Sequence, residues 1–376
     1  MVGVTPVPGV RTTSPPPAAL SGRDRRPVVV HVGVVGAEPG GMAQVVNEYL
    51  SWSYASLQVR AMASTRGRGH RWSSVRALGC VVRIVGCRLS RRGHAFVVHL
   101  SSGGSFVREG GLAALVRACG FPVAIQVHGS MFAPFASRHP GLVRRVLRLA
   151  CAVYVLSDEA ADVVDGLLGP AGPGRVVKVA NGVAVPDEIP GGAKEPVVLF
   201  AGEVGGRKGA DILLAAWEQV QADHAGWQLV LAGPVEPEIA VLPVPPAATL
   251  LGPVPREEVQ RWEARASVAA LPSRNEALPM FLLEAMARGC AVVATPVGDI
   301  GELLRGCGRV VPVDDTAALA AALTELMDDP AAAAALGAAA RERVVARFSS
   351  AALAPVFERE WQALLVGRRR SAAGAS

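Results

Sequence analysis

The chain is poor in charge and in aromatic rings: of 376 residues, 19% are Asp, Glu, Lys or Arg, 5% are Phe, Trp or Tyr, and only three are tyrosine. With 51% hydrophobic residues, such a composition excludes disorder of the whole chain and predicts large buried cores. Long hydrophobic runs are missing. Gly, Pro or a charge interrupts every candidate before the roughly 18 apolar residues that a membrane-spanning helix needs, so integral membrane function is not expected. The six cysteines, Cys80, Cys87, Cys119, Cys151, Cys290 and Cys307, form no C-x-x-C pair, and surroundings such as RLACAVYV and RGCAVVA predict reduced core thiols. Neither G-x-x-x-x-G-K-S/T nor G-x-G-x-x-G occurs, and no basic stretch is interleaved with aromatics, so nucleic acid is not an expected partner. The opening MVGVTPVPGVRTTSPPPAALSGRDRRP has proline and polar breaks where a secretory signal would be continuous. Residues 1–26 therefore read as a disordered leader, and a cytoplasmic location is expected.

What is present is a repeated alternation of strand and helix. PVVVHVGVVG is an apolar, β-branched run ending in glycine, as a buried parallel strand requires, and GGMAQVVNEYLSW opens a helix after it. LQVRAMA, FVVHL, VAIQVH and AVYVLS continue the strands, with helical stretches such as FVREGGLAALVRACG and LVRRVLRLAC between them. After the Pro- and Gly-rich VPDEIPGGAKEP the pattern restarts at PVVLFAGEVG and runs through WQLVLAG, ATLLG, VAALPS, AVVATPVG and RVVPV. The expected architecture is α/β: two Rossmann-like domains facing a central cleft, residues 27–185 and 186–350, with a last helix at about 352–367. Charge divides with the domains. Residues 27–185 hold 17 Lys and Arg against 7 Asp and Glu, whereas residues 186–350 hold 13 against 22. A net +10 beside a net −9 suggests that the first domain meets an anionic partner, a membrane or a phosphorylated substrate. Arg144, Arg145 and Arg148 on one helix are the expected contact with anionic lipid at the inner face of a membrane.

In open α/β sheets ligands bind outside the carboxyl ends of the strands, which directs attention to the strand-to-helix turns. In LPSRNEALPMFLLEAMARGCAVVATPVG, Glu276 stands in a loop and Glu284 eight positions later on a helix. Between them Leu278, Pro279, Met280 and Phe281 span a helix start, whose unpaired N–H groups suit an anionic diphosphate. GEVGGRKGAD sets Arg207 and Lys208 beside a glycine turn on the same side. Gly41, after Gly40, permits close backbone approach at the first helix, and VHGS places His128 at a strand end.

E-x7-E before EAMARG-x-x-VVAT, KG in the first loop of the second half, NGV at the domain junction, GG after the first strand and an H-G turn together resemble retaining glycosyltransferases of family 4 with the GT-B fold. The likeness covers roughly residues 27–365. It implies a nucleotide-sugar donor held mainly by the second domain and an acceptor held by the first: a polysaccharide or lipid-linked glycan, or a small secondary metabolite. It assigns Glu276 to hydroxyls of the transferred hexosyl unit, Glu284 to the ribose, Lys208 to the diphosphate and residues 278–281 to backbone contacts. Gly41 matches the first-domain glycine loop, His128 the residue near the reacting sugar, and Asn181 with Gly182 the junction. The helix near Trp361 resembles the segment that crosses back onto the first domain. The pattern departs at Glu203, where the family usually has arginine; Arg207 is the candidate replacement cation. No cofactor and no metal are expected, because the acidic pairs Asp314-Asp315 and Asp328-Asp329 are adjacent and not spaced as D-x-D. A nucleotide-sugar epimerase and a catalytically impaired binding protein of the same fold are the alternative readings. Acceptor contacts are expected from loops at 64–74 and 101–110.

Overall fold

The computed structural model describes residues 26–36, 40–65, 73–90, 93–170, 172, 174–188 and 194–373. Nearly all of the leader, most of loop 64–74 and residues 189–193 of the interdomain segment lie outside the described residues. The first sheet comprises β1 (Val28–Val34), β2 (Gln58–Thr65), β3 (His94–Leu100), β4 (Val123–Val127), β5 (Ala152–Val155) and β6 (Arg175–Lys178). The second comprises β7 (Glu195–Ala201), β8 (Gln228–Ala232), β9 (Ala248–Gly252), β10 (Ala266–Leu271), β11 (Ala291–Ala294) and β12 (Arg309–Val310). Their spatial orders are β2-β1-β3-β4-β5-β6 and β12-β11-β10-β7-β8-β9, and the paired strands within each sheet are parallel. The predicted pair of doubly wound units is thus what forms. Each sheet reverses winding direction beside its first strand, at β1/β3 and at β7/β10, which opens a crevice at the carboxyl ends of those strands.

Period-two alternation divides the first sheet into two buried faces. Val28, Val30 and Val32 pack with Phe96, Val98 and Leu100 on one side. Val29, Ala95, Val97, Ala124, Ala152 and Tyr154 join the core on the other, which continues into the second domain. His31, His99 and Gln126 share this second face by the same alternation, and all three are fully buried. The helix Ser350–Ala373 closes it. Ser349 accepts a hydrogen bond from the N–H of Ala352 at 3.2 Å as the helix begins. Phe357 and Trp361 then lie against first-domain rings: Phe357 on Tyr49 at 4.7 Å, Trp361 on His31 at 4.8 Å. Glu358 accepts hydrogen bonds from Ser56 N–H at 2.6 Å and its hydroxyl at 2.5 Å, pinning the loop before β2.

Two local expectations are corrected. Residues 104–110 are not loop: the helix Gly104–Ala118 begins there, and burial of Phe106, Leu112, Ala113 and Val116 on one face outweighs the two glycines Gly110 and Gly111. The cysteines are all free, but only Cys80, Cys290 and Cys307 are buried; Cys151 is exposed, just ahead of β5.

Candidate functional site

The turn after β7 and the loop after β10 meet at the switch point of the second sheet. Lys208 Nζ lies 2.7 Å from Glu276 Oε1, and both side chains are about seven-eighths shielded (13% and 12% exposed). Arg207 reaches the same carboxylate oxygen at 3.4 Å and Glu203 at 3.3 Å. Glu203 is therefore paired with the cation beside it. Gly209 makes the approach possible: at φ 71°, with a Cβ position 2.0 Å from the carbonyl oxygen of Pro272, no other residue fits. Gly298 does the same under the other loop, where a Cβ would stand 2.3 Å from the carbonyl oxygen of Glu276.

Arg274, which no sequence motif singled out, locks the two loops together. It forms a two-pronged pair with Asp211 at 2.8 Å for each bond, donates to Asp314 at 2.7 Å and to the carbonyl of Gly206, and its own N–H donates to the Arg207 carbonyl at 2.9 Å. Burial works against ionised Asp211, yet Arg274 outweighs it and holds that carboxyl below its ordinary range.

Past Glu276 the chain enters the helix Met280–Ala287 through Pro279, with no side-chain cap on its first turn. The helix Gly41–Ser51 likewise starts without a side-chain cap, at Gly40 with φ 121°. The two starts face each other across the domains: a Cβ on Gly41 would lie 3.9 Å from Met280 Cγ. Two uncapped N–H ends thus converge beside Lys208 and Arg207, a setting that favours negative charge. Asn181 Nδ2 donates to the Leu278 carbonyl at 3.0 Å, and Ser130 Oγ to that of Asn275 at 3.4 Å, so the first domain holds this loop from two sides. A shallow, open depression lies here, among Gly129, Ser130, Ser157, Glu276 and Ala277.

Glu284 is buried. Arg256 donates to Glu284 Oε1 at 2.6 Å and to Glu48 Oε1, in the first domain, at 3.0 Å. Burial raises the Glu284 carboxyl while Arg256 and Arg288 draw it down. Arg256 feels burial too, but its two carboxylate partners raise it further above its usual value. Neither Arg256 nor Glu48 carried a sequence signal.

His128 extends β4 by donating its N–H to the Leu100 carbonyl at 2.8 Å, and Gly129, at φ 85°, turns the chain after it. Its ring belongs to a chain of three. His128 Nε2 pairs with His99 Nδ1 at 2.7 Å, and His99 Nε2 with His31 Nδ1 at 2.8 Å. Burial pushes His31 and His128 down to about 3, and His99 well below its ordinary value, so the three imidazoles are neutral. Each neutral ring offers one donor and one acceptor, so the chain has a single direction, and that direction fixes whether His128 Nδ1 carries a proton or a lone pair.

Of the sequence-derived residues, Lys208, Arg207 and Glu276 are in contact, Leu278, Pro279, Met280 and Phe281 follow directly, and Gly41 faces them. Glu284 lies in the Arg256 network and His128 in the histidine chain. Among the described residues no group of three or more His, Cys, Asp or Glu side chains is arranged to hold a metal ion, and no helix is long and apolar enough to cross a membrane. Asp315 and Asp329 each cap a helix, accepting from Ala318 N–H at 2.8 Å and Ala332 N–H at 2.9 Å.

The family described as Glycosyl transferases group 1 matches residues 195–329. A glycogen synthase of Mycobacterium tuberculosis is 27% identical over 282 residues, 68% of this chain and 67% of that protein. Among solved structures, sucrose-phosphate synthase of Thermosynechococcus elongatus superposes with a TM-score of 0.70 at 21% identity, over 91% of this chain and 100% of that one. HepE of Anabaena, in complex with UDP, gives 0.67 at 16% identity, over 89% and 99%. The two parallel six-stranded sheets are those of the GT-B fold, and within the second of them residues 195–329 match the glycosyl transferases group 1 family.

Proposed function

We propose that the protein is a retaining, metal-independent glycosyltransferase that moves a hexosyl unit from a nucleotide-sugar donor to an acceptor hydroxyl. The observation that carries this reading is the Lys208–Glu276 pair at 2.7 Å, set beside an uncapped helix start at the switch point of the second sheet. In this reading the donor diphosphate accepts from Lys208, Arg207 and the first-turn N–H groups of the helix Met280–Ala287. Hydroxyls of the sugar donate to Glu276, and the ribose donates to Glu284, whose carboxylate Arg256 orients. As the bond between the anomeric carbon and the diphosphate breaks, the charge that develops on the leaving oxygen meets Lys208 and the helix start. The acceptor hydroxyl attacks from the same face, and its proton passes to the departing phosphate oxygen. His128 lines that face with a ring held in place by His99. The anion-binding role needs no metal, and the carboxylates of Asp315 and Asp329 are committed to helix caps.

The nucleotide-sugar donor draws support from HepE, which was solved with UDP and, in a further structure, with UDP-glucose. A panel of nucleotide sugars screened by thermal shift tests the donor class, because a ligand bound only by the folded state raises the melting temperature. NMR of the first product from an α-linked donor tests the stereochemistry: an α-linked product is expected, and a β-linked one overturns retention. Activity persists after exhaustive chelation; loss restored by Mg²⁺ or Mn²⁺ overturns metal independence.

A further inference from the structure

Between Glu48 and Glu109 the sequence holds ten arginines and not one carboxylate. The helix Ser73–Gly86 and the short turn Cys87–Leu89 lie within this stretch. The helix turns Cys80 and Ile84 into the core. Its opposite side and the turn after it are apolar as well: Leu78 is 63% exposed, Val82 66%, Val85 48% and Leu89 90%. Spacings of four and three residues put Leu78, Val82 and Val85 in one stripe along the helix, and Leu89 stands exposed on the turn that follows it. Arg83 on the helix and Arg88 on the turn are exposed beside these side chains, and Arg60 stands exposed on the neighbouring edge strand β2. Other basic residues of the first domain are paired with acids: Arg175 with Glu360, and Lys178 with Asp158 and Asp299 at 2.8 Å each. Arg144 donates to the Leu167 carbonyl at 2.9 Å, against the helix Asp158–Leu168 with its four carboxylates.

We propose that the stripe Leu78, Val82 and Val85, extended by Leu89 and with Arg83 and Arg88 beside it, docks this protein on the surface of an anionic lipid bilayer. An apolar stripe alone would suit a second copy of the chain equally well. The charge decides between them, because a stretch of arginines without a carboxylate repels its own copy and is drawn to a negative surface. Geometry agrees: the apolar side chains stand exposed along the helix and the turn after it, and the arginines beside them have the reach to place guanidinium groups among headgroups while their stems lie along the apolar boundary. The docking surface therefore lies on the helix Ser73–Gly86 and not on Arg144, Arg145 and Arg148. The helix follows β2 and runs back antiparallel to it, so its first turn stands at the cleft end of the first sheet. A bilayer bound there lies beside the acceptor half of the cleft.

Sedimentation of the full chain with vesicles tests this. Wild type is expected to pellet with phosphatidylcholine mixed with phosphatidylglycerol, to lose much of that binding at high salt, and to bind phosphatidylcholine alone weakly. Leu78→Ser combined with Leu89→Ser should weaken binding about tenfold or more, with the unfolding temperature and nucleotide-sugar binding unchanged, since both side chains are exposed. Arg83→Gln with Arg88→Gln, an independent pair, should remove most of the salt-sensitive share. Arg144→Gln with Arg145→Gln and Arg148→Gln should change nothing. Absence of wild-type binding, binding indifferent to the stripe variants, or a dimer in analytical ultracentrifugation that the stripe variants abolish would each overturn the proposal.

Discussion

Lys208 and Glu276 hold one another at 2.7 Å, and in the proposed reading this pair orients the cation toward the donor diphosphate. Lys208→Ala removes it and leaves a shielded carboxylate with only Arg207 for company. A fall in kcat on the order of 10²-fold is expected, the size seen when one preorganised donor to a developing negative charge is lost. Steady-state kinetics decide it, and unchanged turnover would refute the role. Glu276→Gln should also lower turnover, with no glycosylated enzyme in intact-protein mass spectra. The histidines make a prediction about pH. A group whose folded pKa lies below its unfolded value contributes stability that is whole above the unfolded value and is lost on acidification. For His31 and His128 the window runs from about 6.5 down to about 3, at roughly 1.4 kcal/mol per pH unit for each ring. Buried Glu263 runs the other way: burial raises its carboxyl, so its share of stability is lost as pH rises through that folded value. Because the slopes oppose, the check must be made ring by ring. ¹⁵N NMR should show His31, His99 and His128 neutral from pH 8 to pH 5, each as one tautomer.

At the scale of the element, the helix Ser350–Ala373 is continuous in sequence with the second domain and continuous in packing with the first. Trp361 is fully buried, in contact with His31, Tyr49 and Tyr54. Trp361→Ala should cost about 3–5 kcal/mol, the usual penalty for emptying a large aromatic site, measured as a shift in the denaturant midpoint. The rings under it include His31 and, one neighbour on, the histidine chain. The same variant should therefore broaden the His31 and His99 signals, linking the last helix of the chain to the turn at His128.

For the whole molecule, the tie that stands out is Arg256, which joins Glu48 of one domain to Glu284 of the other. Removing one member of a shielded charge group leaves the others unpaired and is more damaging than the group was ever stabilising. Arg256→Gln is expected to cost about 3 kcal/mol and to loosen the approach of the domains, seen as an increased radius of gyration in small-angle scattering. A normal melting temperature and an unchanged scattering curve would show that the other cross-domain bonds suffice.

The α/β class, the strands of the two sheets and the placement of Lys208, Arg207 and Glu276 on one side of the second sheet were legible in the sequence. Buried parallel strands are local apolar runs, and a glycine turn or a helix start announces itself within a few positions. Their assembly was not. Arg256 and Glu48 are 208 positions apart, Arg274 and Asp211 63, and His31 and His99 68. Alternation says that His31 and His99 point to one face of a sheet, but only the strand order β1-β3-β4 makes them and His128 neighbours. Glu203 stood out in the sequence only as a departure from the family's usual arginine, and it is the turn that brings Arg207 back onto it. Periodicity encodes which side of an element faces inward. Which charges then share that interior, and so whether a carboxylate is available, paired or shielded, is decided when distant elements pack, because the field at each group comes from neighbours the chain order does not name.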